Sequence, residues 1–159
     1  MKDELQVALV KDFPHVFYRD PIPGREPWSM FGFECSDGWE PLLREAATKL
    51  EPLFAQGIAN DPEGFKFGYY RTSQIKEKYG TLRWYLSGGT EEMEAIINKA
   101  EIKSHKTCEQ CGKKGKVRGH GWLYCACFEH TELEDRDNFE VVKEAHKKHS
   151  RKKRNEKKS

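Results

Sequence analysis

Four residues in the C-terminal third of the chain follow the spacing C-x2-C-x15-C-x2-H, which is typical of metal ligands. They are Cys108, Cys111, Cys127 and His130. A gap of two residues lets both side chains of a pair turn toward one ion, and Gly112 suits the left-handed backbone of such a turn. Because four protein ligands leave no open position, the pattern predicts one structural Zn2+ ion and no catalytic metal.

Two further side chains compete for the second ligand pair. Cys125 precedes Cys127 by two residues, and His120 lies in a glycine-rich turn. A C-x-C pair is less suited than C-x2-H to wrapping a tetrahedral ion. We therefore predict that Cys127 and His130 bind the metal and that Cys125 is a buried thiol. Cys35, far away in the sequence, is predicted to be a small core residue.

The residues around the ligands indicate the type of finger. Residues 116–118 and 122–124 are typical of a short hairpin, and residues 131–149 include a predicted helix. A knuckle, a hairpin and a ligand pair leading into a helix follow the order of a treble clef, with a zinc ribbon as the alternative. The segment has few apolar residues, so its folding should depend on the metal. A strong chelator should disorder residues 105–132, whereas the rest of the fold can survive.

Apolar residues with a helical period predict two amphipathic helices before the finger. The clearest begins after a cap at Ser36 or Asp37 and continues to Phe54. Thr90 caps the other, which covers residues 91–104 and carries glutamates in its first turn. A short helix is also predicted over residues 2–12.

Alternating apolar residues predict a small antiparallel sheet. Residues 73–78 and 81–86 are predicted hairpin arms around a Tyr79-Gly80 turn, and residues 30–35 form a further short strand. The charged arm at 74–78 is expected to be a solvated edge strand, and residues 57–68 a loop. The predicted fold class is α+β, with two amphipathic helices on the sheet, a C-terminal finger and a basic tail.

Charge is distributed unevenly between three predicted regions. Residues 141–159 have a net charge of +7, although the whole chain has only +2, so the rest is mildly acidic. Any attraction to nucleic acid should come mainly from this tail. We predict an α+β body over 1–104, a zinc-finger module over 105–140 and a helical or disordered tail over 141–159.

The composition also indicates the compartment. No apolar run approaches the roughly 18 residues of a membrane span, and the first residues lack the apolar stretch of a signal peptide. Four of the five cysteines lie within 20 residues of one another, interleaved with histidine, which favours metal binding over disulfides. We expect a protein of the reducing cytoplasm.

Four stretches of the chain resemble a group of small, poorly characterised bacteriophage and prophage proteins with a C-terminal zinc finger. The matching stretches are FECSDGW at 33–39, QIKEKYGTLR at 74–83, residues 100–112, and residues 121–130. The resemblance covers roughly residues 30–132, and the position of Cys125 is usually not cysteine in that group. It implies a virus-encoded protein that works in bacterial cytoplasm, and it brings no established activity.

We expect a non-enzymatic accessory protein that binds a host protein, such as one of defence or transcription. No phosphate-binding loop, activated nucleophile or small-molecule cofactor site is evident. The alternative is nucleic-acid binding through the finger and the tail, with Trp122 or Tyr124 stacking on bases. A treble-clef nuclease that uses His120 is the least favoured hypothesis. The residues predicted to contact nucleic acid are Lys113, Lys114, Lys116, Arg118, Arg151, Lys152, Lys153 and Arg154.

Overall fold

A computed structural model describes residues 1–17 and 32–136 of the chain. These residues form four α-helices, a 3₁₀ turn and five short strands. The helices are α1 (Asp3–Asp12), α2 (Glu40–Asn60), α3 (Pro62–Lys66) and α4 (Glu91–Ser104), with the 3₁₀ turn at Asp37–Trp39. The strands are β1 (Phe33–Glu34), β2 (Arg71–Lys78), β3 (Thr81–Ser87), β4 (Lys116–Arg118) and β5 (Tyr124–Ala126).

The three helices predicted before the finger are present, and α2 and α4 pack against each other. Of the helix predicted within residues 131–149, only residues 133–136 are described, and they are helical. The α2 helix buries the apolar stripe that its period predicts, from Leu43 to Phe54. The α4 helix begins as predicted, because the Thr90 hydroxyl accepts a hydrogen bond from the Met93 amide at 3.3 Å. The α1 helix buries Leu9. The fold class is therefore α+β.

The predicted loop at 57–68 is wrong. The α2 helix continues to Asn60, and α3 follows at Pro62–Lys66. Asp61 caps α3 by accepting a hydrogen bond from the Gly64 amide at 2.8 Å. An aspartate followed by proline is a favourable start for a helix, but the three glycines at 57, 64 and 68 favour a loop.

The larger sheet is mixed, so the prediction of an antiparallel sheet is only partly right. Strands β2 and β3 pair antiparallel around the predicted Tyr79-Gly80 turn, but β1 pairs parallel to β2, with Phe33 opposite Ile75. The chain crosses over through α2 and α3 between β1 and β2, which makes a parallel pair possible. Strand β2 is therefore central and not the predicted edge strand, and residues 30–31 of the first predicted strand lie outside the described residues.

One core joins the helices to the inner face of this sheet. Trp39, which precedes α2, and Leu43, on α2, are fully buried, and Trp84 is stacked on Phe17 with ring centroids 5.6 Å apart. Cys35 is buried in the same core, as predicted, and this burial raises the pKa of its thiol to about 12. Within the described ranges, no helix is long and apolar enough to cross a membrane.

Candidate metal centre

The four predicted ligands converge on one point. Their ligand atoms all lie within 4.8 Å of one another. The Cys111 and Cys127 sulfurs are 3.7 Å apart, and the Cys108 sulfur is 3.6 Å from Nδ1 of His130. A tetrahedral site with Zn–S bonds near 2.3 Å separates its sulfurs by about 3.8 Å, so this arrangement can hold one metal ion.

The sulfur separation also distinguishes a metal site from a disulfide. A disulfide bond is about 2.05 Å long, whereas the Cys111 and Cys127 sulfurs are 3.7 Å apart, and all five cysteines are free. Cys108 and Cys127 are buried, while Cys111 and His130 are exposed. In residues 1–17 and 32–136, this is the only group of three or more histidine, cysteine or acidic side chains that could hold a metal.

Backbone hydrogen bonds shape the first ligand pair. The Gly112 amide donates to the Cys108 carbonyl at 2.9 Å, and the Cys108 amide donates to the Lys113 carbonyl at 2.7 Å. Gly112 has φ +74°, the left-handed conformation that the knuckle was predicted to use. The loop therefore turns both thiols of the pair to the same side.

A different set of contacts holds the second ligand pair. The buried Thr131 hydroxyl donates to the Cys127 carbonyl at 2.6 Å. The Arg136 guanidinium donates to the carbonyls of Thr131 and Glu129, each at 2.8 Å. These contacts fix the short segment that carries Cys127 and His130, and residues 133–136 continue as a helical turn.

The environment of the first thiol favours the thiolate that a metal requires. Burial acts to raise the pKa of Cys108, but hydrogen bonds from the backbone amides of Cys127, Cys111 and Gln110 together lower it to about 7. Burial raises the pKa of Cys127. A bound cation would favour both thiolates further.

The two competing side chains point elsewhere. Cys125 is 1% exposed and packs into the core of the body, and burial raises the pKa of its thiol to about 11. His120 lies on the finger surface, where Nδ1 is 3.0 Å from a carboxylate oxygen of Asp135. The cluster contains neither of them.

Glu109 attaches the first ligand pair to the start of α2. Its backbone carbonyl accepts a hydrogen bond from the Gly38 amide at 2.7 Å, and its carboxylate accepts one from the Ser36 amide at 2.9 Å. The Trp39 indole donates to the Thr107 carbonyl at 2.9 Å. Burial raises the pKa of Glu109. Sequence reasoning missed this contact, because it joins residues about 70 positions apart.

A polar network that the sequence did not indicate closes the finger on its other side. The Tyr124 hydroxyl donates to the Asp135 carboxylate at 2.6 Å and accepts from the Glu132 amide at 3.0 Å. The hydrogen bond from the Tyr124 hydroxyl, and next the one with His120, lowers the pKa of Asp135. The network joins the C-terminal helical turn to β5. In the same network, Asp135 is the partner of His120.

The predicted nucleic-acid contacts are scattered. Lys113 forms an ion pair with Glu129 at 3.3 Å, and the Arg118 side chain donates to the Ala126 carbonyl at 3.3 Å. Lys114 and Lys116 are exposed. The other four, residues 151–154, lie outside the described residues.

The fold and the cluster define a small α+β protein with a Cys3His group that can hold one metal ion. No protein-family model, curated protein or solved structure matches the chain. Membership of a phage protein family therefore stays a prediction.

Proposed function

We propose that the Cys3His cluster binds one structural Zn2+ ion in a treble-clef-like finger. Three thiolates and one imidazole are ligands that zinc prefers. The order of knuckle, β4–β5 hairpin, second ligand pair and helical turn favours a treble clef over a zinc ribbon. Four protein ligands leave no position for a substrate, so the ion would stabilise the fold.

Metal analysis of purified variants tests the zinc site. The wild-type protein should contain one zinc ion per chain. Cys127→Ser should lose the ion, whereas the matched control Cys125→Ala should keep it. A metal-free wild-type protein, or loss of zinc in Cys125→Ala, would contradict the assignment.

For the whole molecule we propose a non-enzymatic, phage-type accessory protein that binds a host protein in bacterial cytoplasm. The observation that supports this proposal is the exposure of large apolar side chains on a fold that the proposed zinc ion would stabilise. Phe67, Trp122 and Leu133 are 83%, 79% and 76% exposed. Aromatic residues such as Phe67 and Trp122 are enriched in protein–protein interfaces.

A reconstitution experiment tests the protein-binding proposal. Tagged wild-type protein should retain a bacterial protein that forms a stoichiometric complex when both are purified and mixed. Size-exclusion chromatography should show the complex, and Phe67→Ser or Trp122→Ser should weaken it without loss of zinc. Failure of every retained protein to form such a complex would count against the proposal.

Nucleic-acid binding is the second candidate, and one specific observation favours it. Lys78 lies beside the exposed ring of Tyr79, with Nζ 5.4 Å from the ring centroid. These two residues and Trp122 line one cleft. Cations next to exposed aromatic rings are typical of proteins that bind single strands. The basic tail would add a salt-dependent attraction.

A further inference from the structure

We propose that the cleft between the β2–β3 turn and the finger hairpin binds an unpaired base of a single-stranded nucleic acid. This inference rests on the second candidate function above and gives it a site. We call it the Tyr79–Trp122 cleft. It is lined by Glu77, Lys78, Tyr79, Gly121, Trp122 and Leu123 and has a volume of about 190 Å³.

Both aromatic rings of the cleft are accessible. Tyr79 is 67% exposed and Trp122 is 79% exposed. The cleft is smaller than the roughly 300–1,000 Å³ of typical small-molecule sites, so it suits one planar group and not a drug-sized ligand. Tyr124, the other residue predicted to stack on bases, is partly buried and its hydroxyl bonds to Asp135. We therefore expect Tyr79, and not Tyr124, to stack on the base.

The backbone of Tyr79 is in a conformation that a bulky residue rarely adopts. Tyr79 has φ +56° and Gly80 has φ +76°, which is the pattern of a two-residue primed hairpin turn. Such turns favour asparagine or glycine at the first position. The exposed ring of Tyr79 makes little packing contact that could offset this unfavourable backbone conformation. An unfavourable conformation of this kind is a reason to look for a function.

Close packing holds the two sides of the cleft in place. A Cβ atom at Gly80 would lie 2.8 Å from Cγ1 of Val117 and 3.2 Å from the Tyr124 backbone. The tip of the β2–β3 hairpin therefore rests directly on the β4–β5 hairpin. A carboxylate oxygen of Glu77 accepts a hydrogen bond from the Gly80 amide, which fixes the turn. The backbone on both sides of the cleft is thus positioned before a ligand arrives.

The charges around the cleft favour a nucleic acid over a neutral apolar peptide. Lys78 lines the cleft, Lys76 lies two residues earlier on the same strand, and Lys116 precedes Val117 on β4. The acidic Glu77 also lines the cleft, and its carboxylate accepts a hydrogen bond from the Gly80 amide. The ring faces can stack on a base while the ammonium groups meet the phosphates on either side.

Fluorescence anisotropy with labelled dT12 and rU12 tests the proposal on the zinc-loaded protein of 159 residues at low salt. Tyr79→Asn and Trp122→Ala should each weaken binding roughly 10-fold, the loss expected when one stacking partner is removed. Tyr79→Asn introduces a residue that favours this turn, so the melting temperature of the variant should not fall. Tyr69→Asn and Phe67→Ala are matched controls, since both remove exposed aromatic rings outside the cleft and should leave the affinity unchanged.

A tail variant distinguishes base binding in the cleft from nucleic-acid binding by the tail alone. It carries Arg151→Gln, Lys152→Gln, Lys153→Gln and Arg154→Gln in the full chain. If this variant loses binding while Tyr79→Asn and Trp122→Ala retain wild-type affinity, the cleft is overturned and nucleic-acid binding by the tail stands. If the wild-type protein binds neither oligonucleotide, both fail. Burial of the same two rings by a protein partner, without oligonucleotide binding, would assign the cleft to that protein and overturn the proposal.

Discussion

Tyr79 and Tyr70 share an unusual left-handed backbone conformation, with φ +56° and +55°, but their rings have different surroundings. The Tyr79 ring is largely exposed. The Tyr70 ring packs on α2, where it lies 2.9 Å from the position that a Cβ atom of Gly57 would take. The same substitution at both sites therefore separates the backbone cost from the contribution of the ring.

We expect Tyr79→Asn to stabilise the protein by about 0.5–1 kcal/mol, because asparagine adopts the left-handed conformation more readily than tyrosine. Tyr70→Asn gains the same backbone benefit but loses a packed ring, so it should destabilise the protein. Urea unfolding of the zinc-loaded variants measures both changes. A loss of stability in Tyr79→Asn comparable with that in Tyr70→Asn would show that the Tyr79 ring is needed for the fold.

The candidate site was predictable at this scale where its determinants are local. The spacing of Cys108, Cys111, Cys127 and His130 lies in the sequence itself, and the structure brings these four side chains together. The role of Glu109 was not predictable. It depends on a contact with Ser36 across 73 positions, and no local pattern carries that information.

At the scale of elements, the 3₁₀ turn before α2 packs closely against the loop of the first ligand pair. Gly38 is the residue at this contact. A Cβ atom at Gly38 would lie 2.4 Å from the Cys108 carbonyl oxygen and 2.4 Å from the Gly112 nitrogen. Both are backbone atoms of the knuckle, so neither can swing aside. Only glycine allows this approach.

We therefore expect Gly38→Ala to destabilise the protein by roughly 1–3 kcal/mol, as overpacking of a close contact does, and to weaken zinc binding. Thermal unfolding and competition with a chromophoric chelator measure the two effects. Gly68→Ala is a suitable control, because no atom lies within 4 Å of a Cβ atom there. It should cost stability through its positive φ but leave zinc affinity unchanged. Equal zinc affinity in Gly38→Ala and the wild type would refute the proposed contact.

The helices and strands were predictable where a long periodic pattern of apolar residues or a tight turn indicates them. The apolar stripe of α2 and the Tyr79-Gly80 turn are both of this kind. Strand β1 was harder, because it has two residues and its parallel partner is reached only through a crossover. The end of α2 was missed because Gly57 usually weakens a helix, whereas here the Tyr70 ring packs against it.

At the scale of the molecule, the finger and the body share structure on two sides. Cys125 of the finger belongs to the apolar core of the body, and Trp39 of the body donates to the Thr107 carbonyl at the edge of the finger. Removal of the proposed zinc ion should therefore change contacts beyond the ligands. Among the described residues, Leu50, Leu82 and Ile97 belong to one apolar cluster, and the ligands Cys108 and Cys127 belong to another. The cluster around Leu50 should therefore persist.

Chelation of the zinc-loaded protein should accordingly produce a partly folded state and not a random coil. We expect the near-UV circular dichroism to change as Trp39 loses its fixed partner, while the far-UV signal of α2 and α4 is largely kept. The melting temperature should fall, by about 2–4 °C for each kcal/mol lost in a chain of this size, and added Zn2+ should restore both signals. Cys127→Ser should resemble the chelated protein, and Cys125→Ala should still respond to the chelator. Complete loss of the far-UV signal would mean that the body cannot fold without the metal, whereas an unchanged near-UV spectrum would mean that the metal does not hold the contact between Thr107 and Trp39.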